Sequence, residues 1–136
     1  MPLWFRLVYS LLWFFVLPVA LIRLWRKGRL NPQYRLHWRE RLALTLPTHP
    51  DGPFDVWIHA VSVGEVRAMM PLVDALSLAA PRLLVTCTTP TGRATAMSLL
   101  GERATVAYLP FDAPWLMDKF LCAAKPKLGL LIETEL

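Results

Sequence analysis

The sequence predicts an α/β protein with a Rossmann-like open parallel sheet, preceded by an N-terminal membrane-anchor helix. Two observations carry this prediction. From about residue 54 onward, short β-type runs alternate with helical segments, and before that point the run from Leu7 to Ile22 contains no charged residue. A length of 136 residues allows one compact domain with a hydrophobic core. The composition, 55% apolar and 18% charged, excludes a disordered acidic or basic protein.

The apolar run LVYSLLWFFVLPVALI predicts a membrane anchor, to which we assign residues 1–25. It is slightly shorter than the roughly 20 residues that cross a bilayer as a helix, and Pro18 is tolerated in such helices. A cleaved signal peptide, a spanning anchor and a buried helix of the domain are the three interpretations. The spanning anchor is favoured because no small-residue cleavage site follows the run. Its short length leaves a helix embedded in one leaflet open.

Residues 26–53 form a basic juxtamembrane segment and linker. Basic residues beside a membrane segment mark its cytoplasmic side and attract anionic headgroups, so we expect the globular part on the cytoplasmic face of the cell inner membrane. Nucleic acid is not an expected partner, because the basic residues do not recur through a folded motif. Between Arg23 and Arg41 the only acid is Glu40, and the basic residues are Arg23, Arg26, Lys27, Arg29, Arg35, Arg39 and Arg41.

Residues 54–136 form the α/β domain. Four β-type runs are VWIHAV, RLLVTCTT, TVAYLP and KLGLLIE, and the helical segments between them are GEVRAMMPLVDALSLAA, TGRATAMSLLGE and APWLMDKFLCAAK. The first helix carries an apolar stripe at spacings of three and four, which would cover the sheet. The stripe consists of Val66, Met69, Met70, Val73 and Leu76. The sequence stops directly after an apolar strand, so we expect the protein to continue beyond Leu136.

Cys87 and Cys122 lie in apolar stretches without a CxxC or Cys/His spacing. Small buried thiols in a reducing compartment explain them, and neither indicates a metal or a disulfide. The sequence also contains no G-x-G-x-x-G and no Walker A pattern. We therefore expect no metal and no bound cofactor.

The candidate site lies where strands lead into helices, because ligands of an open parallel sheet collect at the carboxyl ends of its strands. After the first strand, S-V-G-E places Ser62 and Gly64 beside Glu65 in the first helical turn. The pattern fits a capping box, in which the acid complements the helix dipole, and it also fits a catalytic carboxylate. His59, at the end of the same strand, is either a structural group or a site residue.

Two further motifs follow other strands. In TCTTPTGRA, the hydroxyls of Thr89 and Thr91, the amide of Gly92 and the guanidinium of Arg93 suit a phosphate or another anion. Taken alone, the motif favours an ordinary Thr-Pro turn capped by Thr91. In the terminal ETE, Glu133 and Glu135 share one side of an extended strand. They are either functional acids or a solvated strand end.

The motifs WIHAVSVGEV, TCTTPTGR, YLPFD and KPKLGLLIETEL, in this order after a basic anchor, resemble the N-terminal half of the Kdo (3-deoxy-D-manno-octulosonic acid) transferase family. The resemblance implies a GT-B glycosyltransferase of lipopolysaccharide synthesis. This chain would be its acceptor-binding domain, and an absent C-terminal domain would bind most of CMP-Kdo. The implied reaction transfers Kdo to the 6′-hydroxyl of a lipid A precursor, lipid IVA, with inversion and without a metal. The chain alone should be inactive.

The resemblance also implies roles for single residues. Glu65 matches the catalytic glutamate of S-V-G-E and would be the general base, and Glu133 matches a second acid that would stabilise the transition state. The remaining motif positions would bind substrate; these are Ser62, Gly64, Thr89, Thr91, Gly92 and Arg93. Two alternatives stay open: another membrane-associated GT-B transferase, and a non-catalytic membrane-bound α/β module that binds an anionic glycolipid.

Overall fold

The structure is a computed structural model that describes residues 3–79 and 81–133. Two helices and a 3₁₀ turn precede the sheet, which alternates with four further helices. In chain order the elements are α1 Leu3–Leu30, the 3₁₀ turn Pro32–Arg35, α2 Trp38–Arg41, β1 Val56–Ala60, α3 Val63–Ala68, α4 Met70–Ser77, β2 Leu83–Cys87, α5 Pro90–Leu100, the 3₁₀ turn Gly101–Arg103, β3 Ala104–Tyr108, α6 Pro114–Ala124 and β4 Leu128–Ile132.

The sheet has the strand order β3-β2-β1-β4, and each neighbouring pair is parallel. In the register of β1, Ile58 lies between Val85 of β2 and Leu130 of β4. The predicted open parallel α/β sheet and its N-terminal helix are therefore confirmed. The chain builds the sheet outward from β1 through β2 to β3, and then crosses back to place β4 on the free edge of β1.

Both faces of the sheet are covered, as parallel sheets require. On one face, Ile58 and Val85 pack with Val73 of α4 and with residues of α3 and α5. On the other face, Leu84 packs with Phe120 of α6, whose ring centroid lies 5.2 Å from that of Trp57. Burial of a large apolar side chain contributes about 1.5–3 kcal/mol, so these two layers fix the positions of the strand ends.

The first crossover is two helices where the sequence predicted one. Helix α3 ends at Ala68 and α4 begins at Met70, with Pro71 in its first turn. A proline has no N–H group to donate within a helix, but it is tolerated at a helix start. The predicted apolar stripe survives the break, because Val66 and Val73 are both buried.

Helix α1 is long and apolar enough to cross a membrane by length and composition alone, which is weak support for an anchor. Only 6% of its most apolar stretch is buried, so the interpretation of a buried helix of the domain is wrong. The helix nevertheless contacts the domain. Trp13 and Leu17 pack against a small cluster formed by Ala43, Ala113 and Leu116.

Two predictions about single residues are wrong. Arg41 was expected at the membrane surface, but it is only 4% exposed. Its guanidinium donates to the carbonyl oxygen of Thr88 at 2.7 Å and stacks over the ring of Tyr108, because α2 folds onto the sheet. Cys122 was expected to be buried, but it lies on the exposed side of α6. Cys87 is buried as predicted, and burial raises the pKa of its thiol to about 11.

An ionic cluster joins the amino ends of three strands. Asp55, directly before β1, accepts from the Arg82 side chain at 3.0 and 3.1 Å and from the Arg82 backbone N–H at 2.9 Å. The ammonium group of Lys127, directly before β4, lies 2.7 Å from Oδ1 of the same carboxylate. Hydrogen bonds from Arg82 and then Lys127 hold the pKa of Asp55 well below its usual range.

This cluster predicts an acid-dependent stability. Because the pKa of Asp55 is lower in the folded chain, its contribution is fully present above the unfolded pKa of about 3.9 and disappears as the pH falls further. The Asp55→Asn variant should therefore unfold at a lower temperature than the wild type at pH 7. The difference between the two melting temperatures should begin to narrow below about pH 4 and should keep shrinking as the pH falls further, as measured by circular dichroism in detergent.

Asp74→Asn is the matched control, because Asp74 forms a single exposed ion pair with Arg103 at the surface. Exposed pairs contribute about 0–1 kcal/mol, so this variant should melt close to the wild type at every pH. Equal melting temperatures of Asp55→Asn and the wild type at pH 7 would show that the cluster does not hold the strands.

Candidate active site at the carboxyl edge of the sheet

The order of the strands reverses between β1 and β4. The chain leaves β1 toward β2 on one side, and β4 returns to its other side, so the order reverses between these two strands. Open α/β sheets bind ligands outside the carboxyl ends of the strands at such a reversal. The predicted acids follow these two strands: Glu65 lies in the helix after β1, and Glu133 directly follows β4.

Glu65 is half-buried and is held by two groups of its own turn. Its Oε2 accepts from the backbone N–H of Val61, and its Oε1 accepts from the hydroxyl of Ser62 at 3.3 Å. The predicted capping box is therefore only half formed. The acid reaches back to a backbone N–H one residue earlier than the N-cap, and the Ser62 hydroxyl donates to the acid instead of capping α3.

Glu133 is exposed at the end of β4. The last register pair of β1 and β4 is Ala60 with Ile132, so the backbones of Val61 and Glu133 leave the sheet side by side. The two predicted acids therefore follow neighbouring strands at one edge of the sheet. Glu135 lies outside the described residues.

The starts of α3 and α5 pack directly against each other. The Thr89 hydroxyl donates to the carbonyl oxygen of Val61 at 3.0 Å and accepts from the Gly92 N–H at 3.1 Å. Gly92 is buried, and a Cβ there would lie 2.8 Å from Thr89 Oγ1 and 3.0 Å from the carbonyl oxygen of Val61. Thr89 and Gly92 therefore position the S-V-G-E turn, because their polar groups are engaged with it and with each other.

Two of the predicted binding residues face open space. Gly64 is exposed, and a Cβ there would meet only Ser62 Oγ, at 3.9 Å. Thr91, in the first turn of α5, is also exposed. Gly64 leaves the approach to Glu65 free of side-chain atoms, and the Thr91 hydroxyl is accessible to a ligand.

Arg93 is joined to the juxtamembrane segment. Its guanidinium donates to Glu40 Oε1 at 3.1 Å, and the other oxygen of Glu40 accepts from the backbone N–H of Tyr108 at 2.8 Å. Both side chains are largely buried, with 11% of Arg93 and 16% of Glu40 exposed. Arg93 and Arg41 both lie against the Tyr108 ring, at 4.9 and 4.0 Å from its centroid. Glu40 thus connects the juxtamembrane segment to the carboxyl edge of the sheet.

Glu40 and Arg41 are site-region residues that the sequence interpretation missed. The helix that carries them, α2, lies between His37 and Ala43, which both have left-handed backbone angles, with φ of 57° and 50°. Non-glycine residues adopt this conformation when the surrounding structure enforces it. The one acid within a run of basic residues was the available signal, because a lone acid there suggests an internal ion pair.

A shallow crevice of about 170 Å³ lies beside this ion pair. Arg93, His37 and Tyr108 contribute its polar and aromatic lining, and Gln33 extends it toward the end of α1. The crevice therefore connects the carboxyl edge of the sheet to the membrane-proximal segment.

His59 is a structural residue in this arrangement. Its Nδ1 lies 2.9 Å from Thr86 Oγ1 and 3.1 Å from the Thr86 carbonyl oxygen, and the Trp57 indole donates to the same hydroxyl at 2.8 Å. Burial lowers the pKa of His59, while the Thr86 carbonyl and the charge of Glu65 oppose that shift. A neutral imidazole fixed between two strands explains its presence.

Comparison with known proteins identifies the family. The family model for 3-deoxy-D-manno-octulosonic-acid transferase (kdotransferase) matches residues 36–136. The 3-deoxy-D-manno-octulosonic acid transferase of Bordetella pertussis is 37% identical over 138 residues, which cover 96% of this chain and 32% of that protein. The Haemophilus influenzae transferase is 38% identical over 108 residues, which cover 78% of this chain and 25% of that protein.

The Rickettsia bellii transferase is 34% identical over 131 residues, which cover 95% of this chain and 31% of that protein. The chain thus spans about a third or less of the length of these curated relatives. The matched region begins at Leu36, so it includes α2 with Glu40 as well as the whole sheet. This chain belongs to the 3-deoxy-D-manno-octulosonic acid (Kdo) transferase family.

Proposed function

We propose that this chain forms the acceptor-binding part of an enzyme that transfers Kdo from CMP-Kdo to the 6′-hydroxyl of a lipid A precursor, lipid IVA, with inversion. The carrying observation is the placement of Glu65 at the reversal of strand order, with its carboxylate held in place. CMP-Kdo would be bound mainly by a C-terminal domain beyond these residues. The reaction would need no metal or other cofactor.

Glu65 suits the role of general base. Inversion by direct displacement requires a group that accepts the proton of the acceptor hydroxyl as the hydroxyl oxygen attacks the anomeric carbon. A carboxylate offers about four lone-pair positions, and the contacts to Val61 and Ser62 use one on each oxygen. A position therefore remains for the substrate hydroxyl. The two contacts also fix the direction of the carboxylate, which lowers the cost of orienting it.

Glu133 would act from the end of β4, the strand that neighbours β1. Its exposed position after β4 allows it to hold a donor or acceptor group in line with the attacking oxygen. A positioned group of this kind contributes through orientation, and a negative charge there would stabilise positive charge that develops on the sugar ring.

The acceptor would lie along the start of α5 toward the shallow crevice. Thr91 and Gly64 are exposed and available to it, and Arg93 lines the crevice with its charge shared with Glu40. Ser62, Thr89 and Gly92 would support binding by holding the turn. The ion pair with Glu40 would hold the Arg93 guanidinium in an orientation suited to the anionic groups of a phosphorylated glycolipid.

Membrane attachment agrees with a lipid acceptor. The basic residues Arg23, Arg26, Lys27 and Arg29 line an open surface at the end of α1, where they would face anionic headgroups. We propose the cytoplasmic face of the inner membrane as the location. Confining the enzyme to the surface that holds its acceptor would restrict the search for it.

The general-base role predicts a selective loss of turnover. In the intact protein, Glu65→Gln keeps an oxygen for the Val61 N–H but cannot accept a proton. Its kcat for transfer from CMP-Kdo should fall about 10²- to 10⁴-fold, with little change in the acceptor KM or in the melting temperature. A steady-state assay with lipid IVA measures both constants.

Glu102→Gln is the matched control, because Glu102 is an exposed acid in the 3₁₀ turn that precedes β3, at the amino edge of the sheet. It should leave kcat unchanged. Full activity of Glu65→Gln would assign the base to another residue, and absence of transfer from CMP-Kdo by the wild type would contradict the proposed donor.

The acceptor role of Arg93 predicts separate effects on binding and stability. Arg93→Lys keeps a positive charge near Glu40 but loses the planar guanidinium with its several N–H donors. The acceptor KM should therefore rise about tenfold, or 1.4 kcal/mol, while the fold is kept. Arg93→Ala should also destabilise the chain by about 3 kcal/mol, because Glu40 is left largely buried without its partner. Thermal unfolding and acceptor titration measure the two effects.

The double variant Glu40→Gln/Arg93→Ala separates the two roles. Removing the unpaired charge should restore part of the melting temperature, and the acceptor KM should stay high. If acceptor binding recovers together with stability, or if Arg93→Lys binds as the wild type does, Arg93 has only a structural role.

A further inference from the structure

Helix α1 touches the domain between Arg6 and Leu17. Near its start, Arg6 pairs with Asp118 of α6 at 3.5 Å, and the Tyr9 hydroxyl donates to Asp112 at 2.9 Å. In its middle, Trp13 and Leu17 pack on the domain. Near its end Leu24 and Gly28 are buried, and Gly28 lies against Arg35 of the first 3₁₀ turn. Tyr9, Trp13, Leu17, Leu24 and Gly28 recur at spacings that place them on one side of a helix.

The opposite side of α1 is an exposed apolar stripe. Leu11, Phe15, Val19 and Ile22 are 64%, 69%, 56% and 58% exposed. The same side continues at the next turns with Arg26 and Arg29, which lie by the end of the helix. An apolar stripe that continues into basic residues is complementary to a membrane surface, where acyl chains lie beneath anionic headgroups.

These contacts are incompatible with a helix that crosses the bilayer. If α1 spanned with its basic end at the domain side, Arg6 and Tyr9 would lie near the far surface of the membrane. Asp112 and Asp118 are both exposed and belong to the domain, so the contacts would draw charged parts of the domain through the hydrocarbon. Helix α1 therefore cannot both span the bilayer and keep the contacts of Arg6 with Asp118 and of Tyr9 with Asp112.

We infer that α1 is a monotopic anchor that lies along the surface of a lipid bilayer, with the exposed stripe in the acyl region and the domain on the other side of the helix. Surface-lying helices ordinarily have one polar side. Here both sides are apolar because the domain covers one of them, with Trp13 and Leu17 packed on Ala43, Ala113 and Leu116. The N-terminus of α1 and the domain therefore share one side of the membrane.

The sidedness of Leu3 tests this inference in the intact protein, in a Cys122→Ser background that removes the exposed native thiol. Leu3 is 77% exposed at the start of α1. The Leu3→Cys variant should react with a membrane-impermeant maleimide only after spheroplasts are permeabilised, with the same ratio as Ser98→Cys, an exposed domain control. Labelling of Leu3→Cys in intact spheroplasts would overturn the inference.

A second measurement tests the contact itself. A short bis-maleimide should cross-link the pair Arg6→Cys and Asp118→Cys in membranes, while the pair Leu11→Cys and Asp118→Cys should not react, because Leu11 lies on the opposite side of α1. Cross-linking of both pairs or of neither would show that α1 does not dock in this orientation. Both readouts are independent of catalysis, so they leave the proposed transfer reaction untouched.

Discussion

The pairing of β1 with β2 on one side and β4 on the other is the constraint on which the rest of the structure depends. It places the residues after β1 and β4 beside each other and creates the reversal of strand order where a ligand can enter. Buried layers on both faces hold β1 in this position, and the carboxylate of Asp55 joins the amino ends of the same strands. The candidate site is therefore built at one end of a strand whose other end is fixed by charge.

Residues of α2, in the juxtamembrane segment, belong to the site region. Glu40 connects Arg93 of α5 with the backbone of β3, and Arg41 connects to the loop that follows β2. The carboxyl ends of β2 and β3 and the first turn of α5 are thus held by two residues of α2. A change in the position of α1 would be transmitted to this edge through α2, because the segment that joins them is short.

The sheet was predictable because apolar runs and helical apolar stripes indicate which residues are buried. The buried residues in turn define the layers of an α/β fold. The site was predictable only as a set of strand ends. The sequence could not show that Glu65 reaches back to Val61, or that Gly92 is required by the close approach of two helix starts. Arg41 and Cys122 were misassigned for the same reason. Long-range packing decides whether a basic residue such as Arg41 faces lipid or an aromatic ring. It also decides which side of α6 meets the sheet, and therefore whether Cys122 is buried. The local sequence pattern determines neither outcome.

A structure of the intact protein with CMP and lipid IVA bound tests the central claim, that Glu65 is the base at the reversal of strand order. If Glu65 is the base, the 6′-hydroxyl of the acceptor should lie about 2.6–3.2 Å from a Glu65 carboxylate oxygen, with the contacts to Val61 and Ser62 retained. An acceptor hydroxyl placed against another acid, with Glu65 bonded only to its own turn, would contradict the account and leave Glu65 as a residue that shapes the start of α3.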